Sequence, residues 1–371
     1  MKVKFLDLKV SIQNKSKLNK ALDKVLSSGN FILGEEVVKF EKIFSQYLGT
    51  KYCIGMGNGL EAIQISLMAL NIGQGDEVIT TPISAIATTL AILAVGARPT
   101  FVDTGSDGLI NPDLIPQAIT KKTKAIIPVH LYGNPVALDK ILDICKKYKL
   151  FLIEDAAQAH GSNFKGKKLG SFGNVGCFSF YPTKNLGALG DGGAIVTSST
   201  KLAKLCAQIR DYGQKSKYLH IRYGLNSRLD ELQAALLNTK LQNLDIENNK
   251  RKLLAKKYIK NLGNIQGLEI IKPRDIKNAN FHLFVIKTKK RNKLKKYLEK
   301  IGIQTLIHYP KIIPDQPFLK KEYGQAKLPI AREFVKSCLS LPCHPNISLS
   351  DIYYISSNIK GFFGNQAPNK I

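Results

Sequence analysis

Short apolar runs alternate with segments of helical apolar spacing from about residue 50 to residue 200. Apolar runs of this length, bounded by turn residues, are typical of strands that are buried on both faces of a parallel sheet. The alternation therefore predicts an α/β fold with a mainly parallel sheet sandwiched by helices. The predicted strands are Tyr52–Ile54, Glu77–Thr80, Thr100–Val102, Ala125–Val129 and Leu150–Ile153, and the predicted helices between them are Leu60–Leu70, Ala85–Val95 and Leu138–Tyr148.

The pattern changes after Arg228. One long polar helix is predicted from residue 229 to residue 260, and strands are predicted at Leu268–Ile271 and His282–Ile286. Strands followed by helices are typical of an α+β unit. The sequence therefore predicts a large domain of residues 1–245, with the N-terminal segment included, and a smaller C-terminal α+β domain of residues 246–371.

The composition of the 371-residue chain, 44% hydrophobic, is that of ordinary globular proteins. No apolar run reaches the ~20 residues that a membrane span requires. The N-terminus also lacks the apolar core of a signal peptide. We therefore expect no membrane insertion and a cytoplasmic location. The six cysteines have no C-x-x-C spacing, so we expect reduced, packed thiols and neither disulfides nor a metal site.

The formal net charge of +27 raises the possibility of a nucleic-acid partner, because a basic surface attracts phosphate irrespective of sequence. The lysines are widely spread, and the densest run covers residues 287–300. Leu294, Leu298 and Ile301 occur there at helical spacing, so the run is typical of an amphipathic helix with a solvated basic face. We therefore expect no nucleic-acid partner, although the charge keeps a basic regulatory protein open as an alternative.

Candidate chemistry is concentrated between residues 150 and 196. The buried run Leu150–Ile153 ends in Glu154 and Asp155, and Lys184 follows about thirty residues later, just before a glycine-dense segment. Asp is also a common turn former, and a single lysine carries little information in a chain with 55 Lys and Arg. Their combination in one block instead predicts a pyridoxal phosphate site, in which a lysine holds the aldehyde and a carboxylate keeps the ring nitrogen protonated.

A second candidate element is the turn Gly55–Gly59, which leads from a strand into a helix. Free backbone N–H groups and the positive end of the helix dipole make such a turn suitable for phosphate. Glycines before a helix are also ordinary turn chemistry, so this turn alone does not identify a site.

Several motifs resemble the DegT/DnrJ/EryC1/StrS family, which comprises pyridoxal-phosphate-dependent aminotransferases acting on nucleotide-linked keto-sugars. The resemblance covers nearly the whole chain and implies the fold type I architecture. The motifs that carry it are residues 154–161 (EDAAQAHG), 178–187 (FSFYPTKNLG), 190–193 (GDGG), 226–235 (NSRLDELQAA), 308–310 (HYP) and 340–342 (SLP), together with the segment 81–103.

The resemblance implies a role for each cofactor contact. Lys184 would be the Schiff-base lysine and would move protons, and Asp155 would be the partner of the ring nitrogen. Gln158 would lie near the phenolic oxygen of the ring. The remaining implied contacts are to the phosphate: the amides of Gly59 and Leu60, the hydroxyl of Ser179, and Asn226 from a neighbouring subunit. The last contact implies a homodimer with active sites shared across the interface.

The implied substrate wall consists of Tyr181, His308 and Tyr309. Two positions depart from the family pattern. Ala85 stands where the family usually has an aromatic residue that stacks on the cofactor ring, and Pro314 stands where it tends to have a second histidine. We therefore expect the outer face of the ring to be covered by another group or to be more open.

The function implied by the resemblance is transamination of a nucleotide-linked keto-6-deoxyhexose. The amino donor would be an amino acid, by family analogy L-glutamate, and the amino sugar would enter surface polysaccharide biosynthesis. One alternative is dehydration or elimination on the same fold, a route that relatives with histidine in place of the lysine follow, so the presence of Lys184 favours transamination. The other alternative is a non-catalytic basic protein that binds nucleic acid or has a regulatory role.

Overall fold

A seven-stranded sheet with the strand order β1-β9-β8-β5-β4-β2-β3 forms the centre of the structure. The computed structural model describes residues 3–8 and 15–364 of the chain. Three smaller sheets, β6-β7, β10-β11 and β12-β13-β14, complete the strand structure of these residues. The strands are β1 (Tyr52–Met56), β2 (Glu77–Thr80), β3 (Arg98–Phe101), β4 (Thr123–Ile127), β5 (Phe151–Asp155), β6 (Asn163–Phe164), β7 (Lys167–Lys168), β8 (Val175–Ser179), β9 (Gly193–Thr197), β10 (Gln214–Ser216), β11 (Leu219–His220), β12 (Glu269–Ile270), β13 (Phe284–Lys287) and β14 (Cys338–Leu341).

The central sheet is mainly parallel, as predicted. The strands β3, β2, β4, β5 and β8 pair in parallel, and only β9 runs antiparallel to its two neighbours, β8 and β1. Alternate residues of β4 point to opposite faces, because Ile126 packs in one hydrophobic cluster and Ala125 and Ile127 pack in another. Both faces are therefore buried, and the carboxyl ends of six strands lie at one edge of the sheet.

Twelve α-helices are described, and most cover the sheets. The three helices predicted between the strands are present as α3, α4 and α5, with α4 two residues shorter at its start than the pattern predicted. The helices are α1 (Lys15–Ser28), α2 (Glu35–Leu48), α3 (Gly59–Ala69), α4 (Ala87–Ala94), α5 (Leu138–Tyr148), α6 (Thr200–Ile209), α7 (Glu231–Leu241), α8 (Leu244–Leu262), α9 (Arg291–Lys300), α10 (Pro317–Tyr323), α11 (Pro329–Ser337) and α12 (Leu349–Gly364).

The single helix predicted over residues 229–260 is wrong. Two helices, α7 and α8, occupy this region and are separated by two residues. Asn243 directly precedes α8, and Asp245 and Glu247 lie in its first turn. Asparagine before a helix and acidic residues in its first turn are sequence signals of a helix start. The side chain of Asn243 makes no capping hydrogen bond, and the two acidic residues complement the helix dipole. The prediction of one helix relied on the continuous polar character of the segment and did not use these start signals.

The smaller α+β unit is present. Its antiparallel sheet has the order β12-β13-β14, and α8, α9 and α12 pack against it around a second hydrophobic cluster. Leu294 and Leu298 of the lysine-rich α9 are fully buried, which confirms the amphipathic helix. Val3 also joins this cluster and pairs with Ile303. The exact boundary near residue 245 stays a prediction.

The cysteines are free and buried, in agreement with the expected packed thiols. Within residues 3–8 and 15–364, no helix combines the length and the apolar character needed to cross a bilayer.

Candidate active site

Asp155 is the last residue of β5 and lies at the carboxyl edge of the sheet. Its carboxylate is 5% exposed. One oxygen accepts a hydrogen bond from the hydroxyl of Thr88 (2.7 Å), and the other accepts one from the backbone N–H of Ala157 (3.1 Å). A carboxylate can accept about four hydrogen bonds. Within the described residues, Asp155 therefore keeps capacity for a further donor.

The preceding residue, Glu154, fixes the end of the strand from the opposite face. Its carboxylate accepts hydrogen bonds from the amides of Gly170 (2.9 Å), Phe172 (2.7 Å) and Gly173 (2.8 Å). It also lies 3.0 Å from Nε2 of His130, whose Nδ1 accepts from the amide of Val136. Because Nδ1 accepts, Nε2 is the donor to Glu154, and the carboxylate receives four hydrogen bonds in all. This anchoring holds β5 in place behind Asp155.

Lys184 lies in the loop between β8 and β9, where its backbone N–H donates to the carbonyl of Tyr181 (2.8 Å) and closes a turn. Its side chain is half-buried. Burial lowers the pKa of the Lys184 amine to about 8, and the charge of Asp155 opposes this shift. The lysine and the carboxylate therefore lie within electrostatic reach of each other, and part of the amine is uncharged near neutral pH.

The glycine turn before α3 lies beside Ser179. Gly193, the first residue of β9, is paired with both Ser179 at the end of β8 and Met56 at the end of β1. A Cβ on Gly59 would come within 2.6 Å of Cβ of Ser179, and a Cβ on Gly193 would come within 2.4 Å of the carbonyl carbon of Asn58. Only glycine fits at these two positions.

The helix that follows this turn, α3, has a side-chain N-cap. The side chain of Asn58 accepts a hydrogen bond from the amide of Glu61 (2.9 Å), which fixes the first turn of α3. The earlier amides, those of Gly59 and Leu60, are left for an anion at the positive end of the helix dipole. Ser179 adds a hydroxyl whose oxygen is 3.3 Å from the amide of Tyr181.

A polar wall on one side of the site joins the two units of the chain. The side-chain oxygen of Gln158 accepts a hydrogen bond from the backbone N–H of Tyr132 (2.6 Å), and the side-chain NH₂ group of Gln158 donates to the hydroxyl of Tyr309 (3.2 Å). The Tyr132 hydroxyl donates to the carbonyl of His308, and Nδ1 of His308 lies 2.9 Å from the hydroxyl of Ser340. The structure thus brings Gln158, His308 and Tyr309 together beside Asp155 and Lys184.

Burial keeps the titratable groups of this wall uncharged. It raises the pKa of Tyr309 to about 12, against a hydrogen bond from Gln158 that lowers it. Burial, with the charge of Lys184, lowers the pKa of His308 to about 4. His160 is fully buried with its ring near Phe178 and Phe180, and burial lowers its pKa to about 3. His160 therefore packs as a neutral core residue.

Tyr181 and Asn226 lie on the surface of the chain. Tyr181 precedes the lysine turn, and Asn226 forms an isolated antiparallel bridge with Asp211 after the β10-β11 hairpin. No contact of the described residues joins Asn226 to the glycine turn, although its neighbour Ser227 accepts from the amide of Gly57 (3.1 Å). A phosphate contact from Asn226 of the kind implied above would require a second copy.

The two departures from the family pattern lie at one junction. The segment around Pro314 forms a short 3₁₀ turn, and the amide of Ile313 donates to the carbonyl of Pro82 (2.8 Å). Ala85 follows three residues after Pro82 and is half-buried. The small unit therefore docks on the loop that carries Ala85.

Two residues of the site were not found from the sequence. Thr88, in the first turn of α4, is 1% exposed and donates to Asp155. Tyr132 has a left-handed backbone (φ 62°) and connects Gln158 to His308. Threonine near a helix start is ordinary capping chemistry, and a left-handed tyrosine gives no sequence signal apart from the glycine that follows it.

The residues fit pyridoxal phosphate. A buried carboxylate with unused acceptor capacity, an amine with a lowered pKa and a side-chain-free cradle before α3 match the ring nitrogen, the aldehyde and the phosphate of this cofactor.

Comparison with known proteins gives the same result. The sequence profile of the DegT/DnrJ/EryC1/StrS aminotransferase family matches residues 13–360. The chain is 44% identical over 352 residues to dTDP-3-amino-3,6-dideoxy-α-D-galactopyranose transaminase of Aneurinibacillus thermoaerophilus, a match that covers 94% of this chain and 96% of the relative.

Solved structures are similar over almost the whole chain. The crystal structure of DesV from S. venezuelae in complex with a ketimine intermediate has a TM-score of 0.96 at 38% identity and covers 98% of this chain and 99% of that chain. NtdA from Bacillus subtilis, with the bound cofactor PMP, has a TM-score of 0.89 at 34% identity and covers 96% and 85%. The resemblance, the fold type and the pyridoxal phosphate cofactor are confirmed, and the chain belongs to the DegT/DnrJ/EryC1/StrS aminotransferase family.

Proposed function

We propose that the protein transfers the amino group of an amino acid, L-glutamate, to a keto group of a nucleotide-linked 6-deoxyhexose. The observation that carries this proposal is Lys184, a partly uncharged amine within electrostatic reach of the buried Asp155. The activity of the 44% identical relative supports a dTDP-linked sugar with a 3-keto group. The amino sugar would serve surface polysaccharide biosynthesis, with the enzyme in the cytoplasm.

The protein groups divide the chemistry among them. Pyridoxal phosphate, when bound, supplies an electrophilic carbon for amines and a ring that acts as an electron sink. Asp155 would keep a proton on the ring nitrogen, because its carboxylate has acceptor capacity left beside Thr88 and Ala157. Lys184 would hold the cofactor through its amine, and its Nζ would accept and return a proton, for which a pKa lowered to about 8 is suited.

The remaining contacts hold the cofactor and the sugar in place. The amides of Gly59 and Leu60 and the hydroxyl of Ser179 bind the phosphate at the start of α3. Gln158 contacts the cofactor from the side wall, and Tyr181, Tyr309 and the neutral His308 contact the sugar. An uncharged imidazole can both donate and accept hydrogen bonds, which suits sugar hydroxyls.

A homodimer is part of the proposal. Large apolar residues are exposed on the glycine-dense segment that follows Lys184. They are also exposed on the segment around the β10-β11 hairpin, where Tyr218 is 82% exposed and Tyr223 is 79% exposed. Exposed apolar patches of this kind mark interaction surfaces. A second copy that covered them would bring Asn226 to the phosphate of the neighbouring site.

The shared site can be tested by complementation. Lys184→Ala and Asn226→Ala variants should each be weakly active or inactive alone. Hybrid dimers should recover part of the activity, because one of their two sites has both residues intact. Sedimentation should show twice the mass of the chain. A monomer, or hybrids without recovery, would contradict shared sites.

The reaction itself is tested in two halves. Glutamate should convert the absorption band of the lysine-bound cofactor to that of the pyridoxamine form, and a panel of dTDP- and UDP-linked keto-sugars should then restore the first band with formation of an amino sugar, detected by mass spectrometry. The Lys184→Arg variant is the control. A product that has lost water and gained no nitrogen would instead indicate elimination, and a protein that binds DNA but no cofactor would indicate the regulatory alternative.

A further inference from the structure

A cavity of about 310 Å³ lies beside the lysine loop, between the N-terminal segment of residues 3–8 and the smaller unit. Thr183, the residue before Lys184, and His308 of the proposed substrate wall both line it. The cavity therefore adjoins the active site, and apart from His308 none of its lining residues has a role in the proposed function.

Arg251 is the charged group of this cavity. Its side chain comes from α8, and the residue is 6% exposed. One Nη donates to the carbonyl of Cys343 (2.8 Å), whereas Nε has no hydrogen-bond partner among the described residues. Glu247 acts on the guanidinium electrostatically, and among the described residues Arg251 forms no ion pair within 4.0 Å. A buried guanidinium without a directly paired anion is unfavourable, which favours binding of an anion at this position.

The other polar side chains of the cavity are three histidines, His282, His308 and His344, together with Thr183 and Gln304, and none of its lining residues in the described chain is acidic. Burial lowers the pKa of all three, so they are uncharged near neutral pH, and Nδ1 of His344 has no hydrogen-bond partner among the described residues. The cavity thus carries one positive charge, on Arg251. A single charge suits a carboxylate better than a diphosphate.

The rest of the wall is largely apolar. Leu283, Leu306 and Leu341 contribute to it. A smaller cavity of about 40 Å³ is lined by Lys184, Lys240 and Arg251, together with Asp7 and Glu247, and burial raises the pKa of Glu247. Arg251 lines both cavities, so a carboxylate bound at its guanidinium would lie where the leucine-lined cavity meets the smaller one that Lys184 lines.

We propose that this cavity binds a carboxylate of the amino donor, with the Arg251 guanidinium as the hydrogen-bond donor and the leucines in contact with the aliphatic carbons. Arginine is suited to this role because its planar fork can bind both oxygens of a carboxylate. The proposal rests on the proposed function for the identity of the ligand as a substrate. The binding itself can be measured without any sugar.

The first experiment is calorimetric titration of the full-length, cofactor-loaded protein with glutarate, a dicarboxylate without an amino group. Wild type should bind one glutarate per site, and Arg251→Gln should weaken binding about tenfold or more, as expected for loss of a charge-assisted hydrogen bond. In kinetics, the KM for glutamate should rise. Unchanged glutarate affinity in Arg251→Gln would overturn the proposal.

A second variant leaves Arg251 in place in case its replacement prevents folding. Leu306 lines the cavity and is 39% exposed, so Leu306→Glu should fold and should weaken glutarate binding by adding a competing carboxylate. Leu253→Glu is the matched control, because Leu253 is 50% exposed and does not line the cavity, and it should bind glutarate as wild type does. Equal glutarate affinity in the two leucine variants would contradict the assignment.

Titration with inorganic pyrophosphate tests whether the cavity binds a substrate phosphate instead of a carboxylate. Pyrophosphate binding should be insensitive to Arg251→Gln. If this variant loses affinity for pyrophosphate and not for glutarate, the carboxylate proposal is overturned in favour of a phosphate. If wild type fails to aminate every keto-sugar but still binds glutarate through Arg251, the proposed function fails and the carboxylate site stands.

Discussion

Glu154 and Asp155 are neighbours at the end of one strand, and both carboxylates are buried. Glu154 uses its full acceptor capacity on three backbone amides and His130. Asp155 accepts two hydrogen bonds and keeps the rest of its capacity at the edge of the sheet, within electrostatic reach of Lys184. The difference shows that burial alone does not mark a functional carboxylate. The functional carboxylate is distinguished by hydrogen-bond acceptor capacity that the surrounding protein leaves unused.

The comparison predicts, first, a large loss of activity without a large loss of stability for Asp155→Asn. Asparagine can still accept from Thr88 but carries no charge to hold a proton on the ring nitrogen, so the rate of transamination should fall on the order of 10³-fold. Stopped-flow absorbance of the glutamate half-reaction measures the rate, and urea denaturation measures the free energy of unfolding. Activity of Asp155→Asn within about tenfold of wild type would contradict a functional role of Asp155.

Glu154→Gln should behave in the opposite way. The new NH₂ group would face backbone N–H donors in a site that is fully buried, so the free energy of unfolding should fall by about 2–3 kcal/mol. Folded Glu154→Gln protein should retain cofactor and most of its activity. Urea denaturation followed by circular dichroism gives the stability. A variant as stable as wild type would show that the satisfied carboxylate does not hold the strand end.

Thr88→Val sharpens the comparison by removing one of the two hydrogen bonds to Asp155. A hydrogen bond to a charged group contributes about 1.5 kcal/mol or more, so the half-reaction should slow about tenfold. Thr88→Ser, which keeps the hydroxyl, is the control and should restore most of the rate. Equal rates for the valine and serine variants would indicate that Thr88 only fills space.

The smallest expected effect is a shift in pH dependence. The reactive form of Lys184 is the uncharged amine, so attachment of pyridoxal phosphate to the cofactor-free protein should accelerate as pH rises through about 8. The charge of Asp155 raises this pKa, and Asp155→Asn should therefore move the midpoint to lower pH. Glu154→Gln is the matched comparison and should leave the midpoint nearer to that of wild type. Identical midpoints in wild type and Asp155→Asn would contradict the electrostatic link.

The sequence was sufficient for features that are local in the chain. The alternation of strands and helices, the mainly parallel sheet, and the block with Asp155 and Lys184 depend on neighbouring residues, and the family motifs add to this signal. The sequence did not reveal that β9 runs antiparallel between β8 and β1, because strand direction in a sheet depends on long-range pairing. The helix start at Asn243 was readable and was overlooked.

Other parts of the site could not be read from the sequence for a physical reason. Thr88 and Asp155 are 67 residues apart, and Tyr132 and His308 are 176 residues apart, so only the folded chain brings each pair together. Arg251 looks like one more cation in a basic helix until its burial is known. The phosphate contact of Asn226 stays a prediction, because it requires a second subunit.

The reversed strand β9 has a consequence for how this enzyme could change over evolution or in the laboratory. Gly193 and Gly59 are pressed against Asn58 and Ser179 at the point where three strands meet, and neither position has room for even one methyl group. Random libraries should therefore lose nearly all substitutions at the phosphate end of the site. Variation tolerated by the fold is expected instead on the His308 side, so sugar preference could diverge while the hold on the cofactor stays constant.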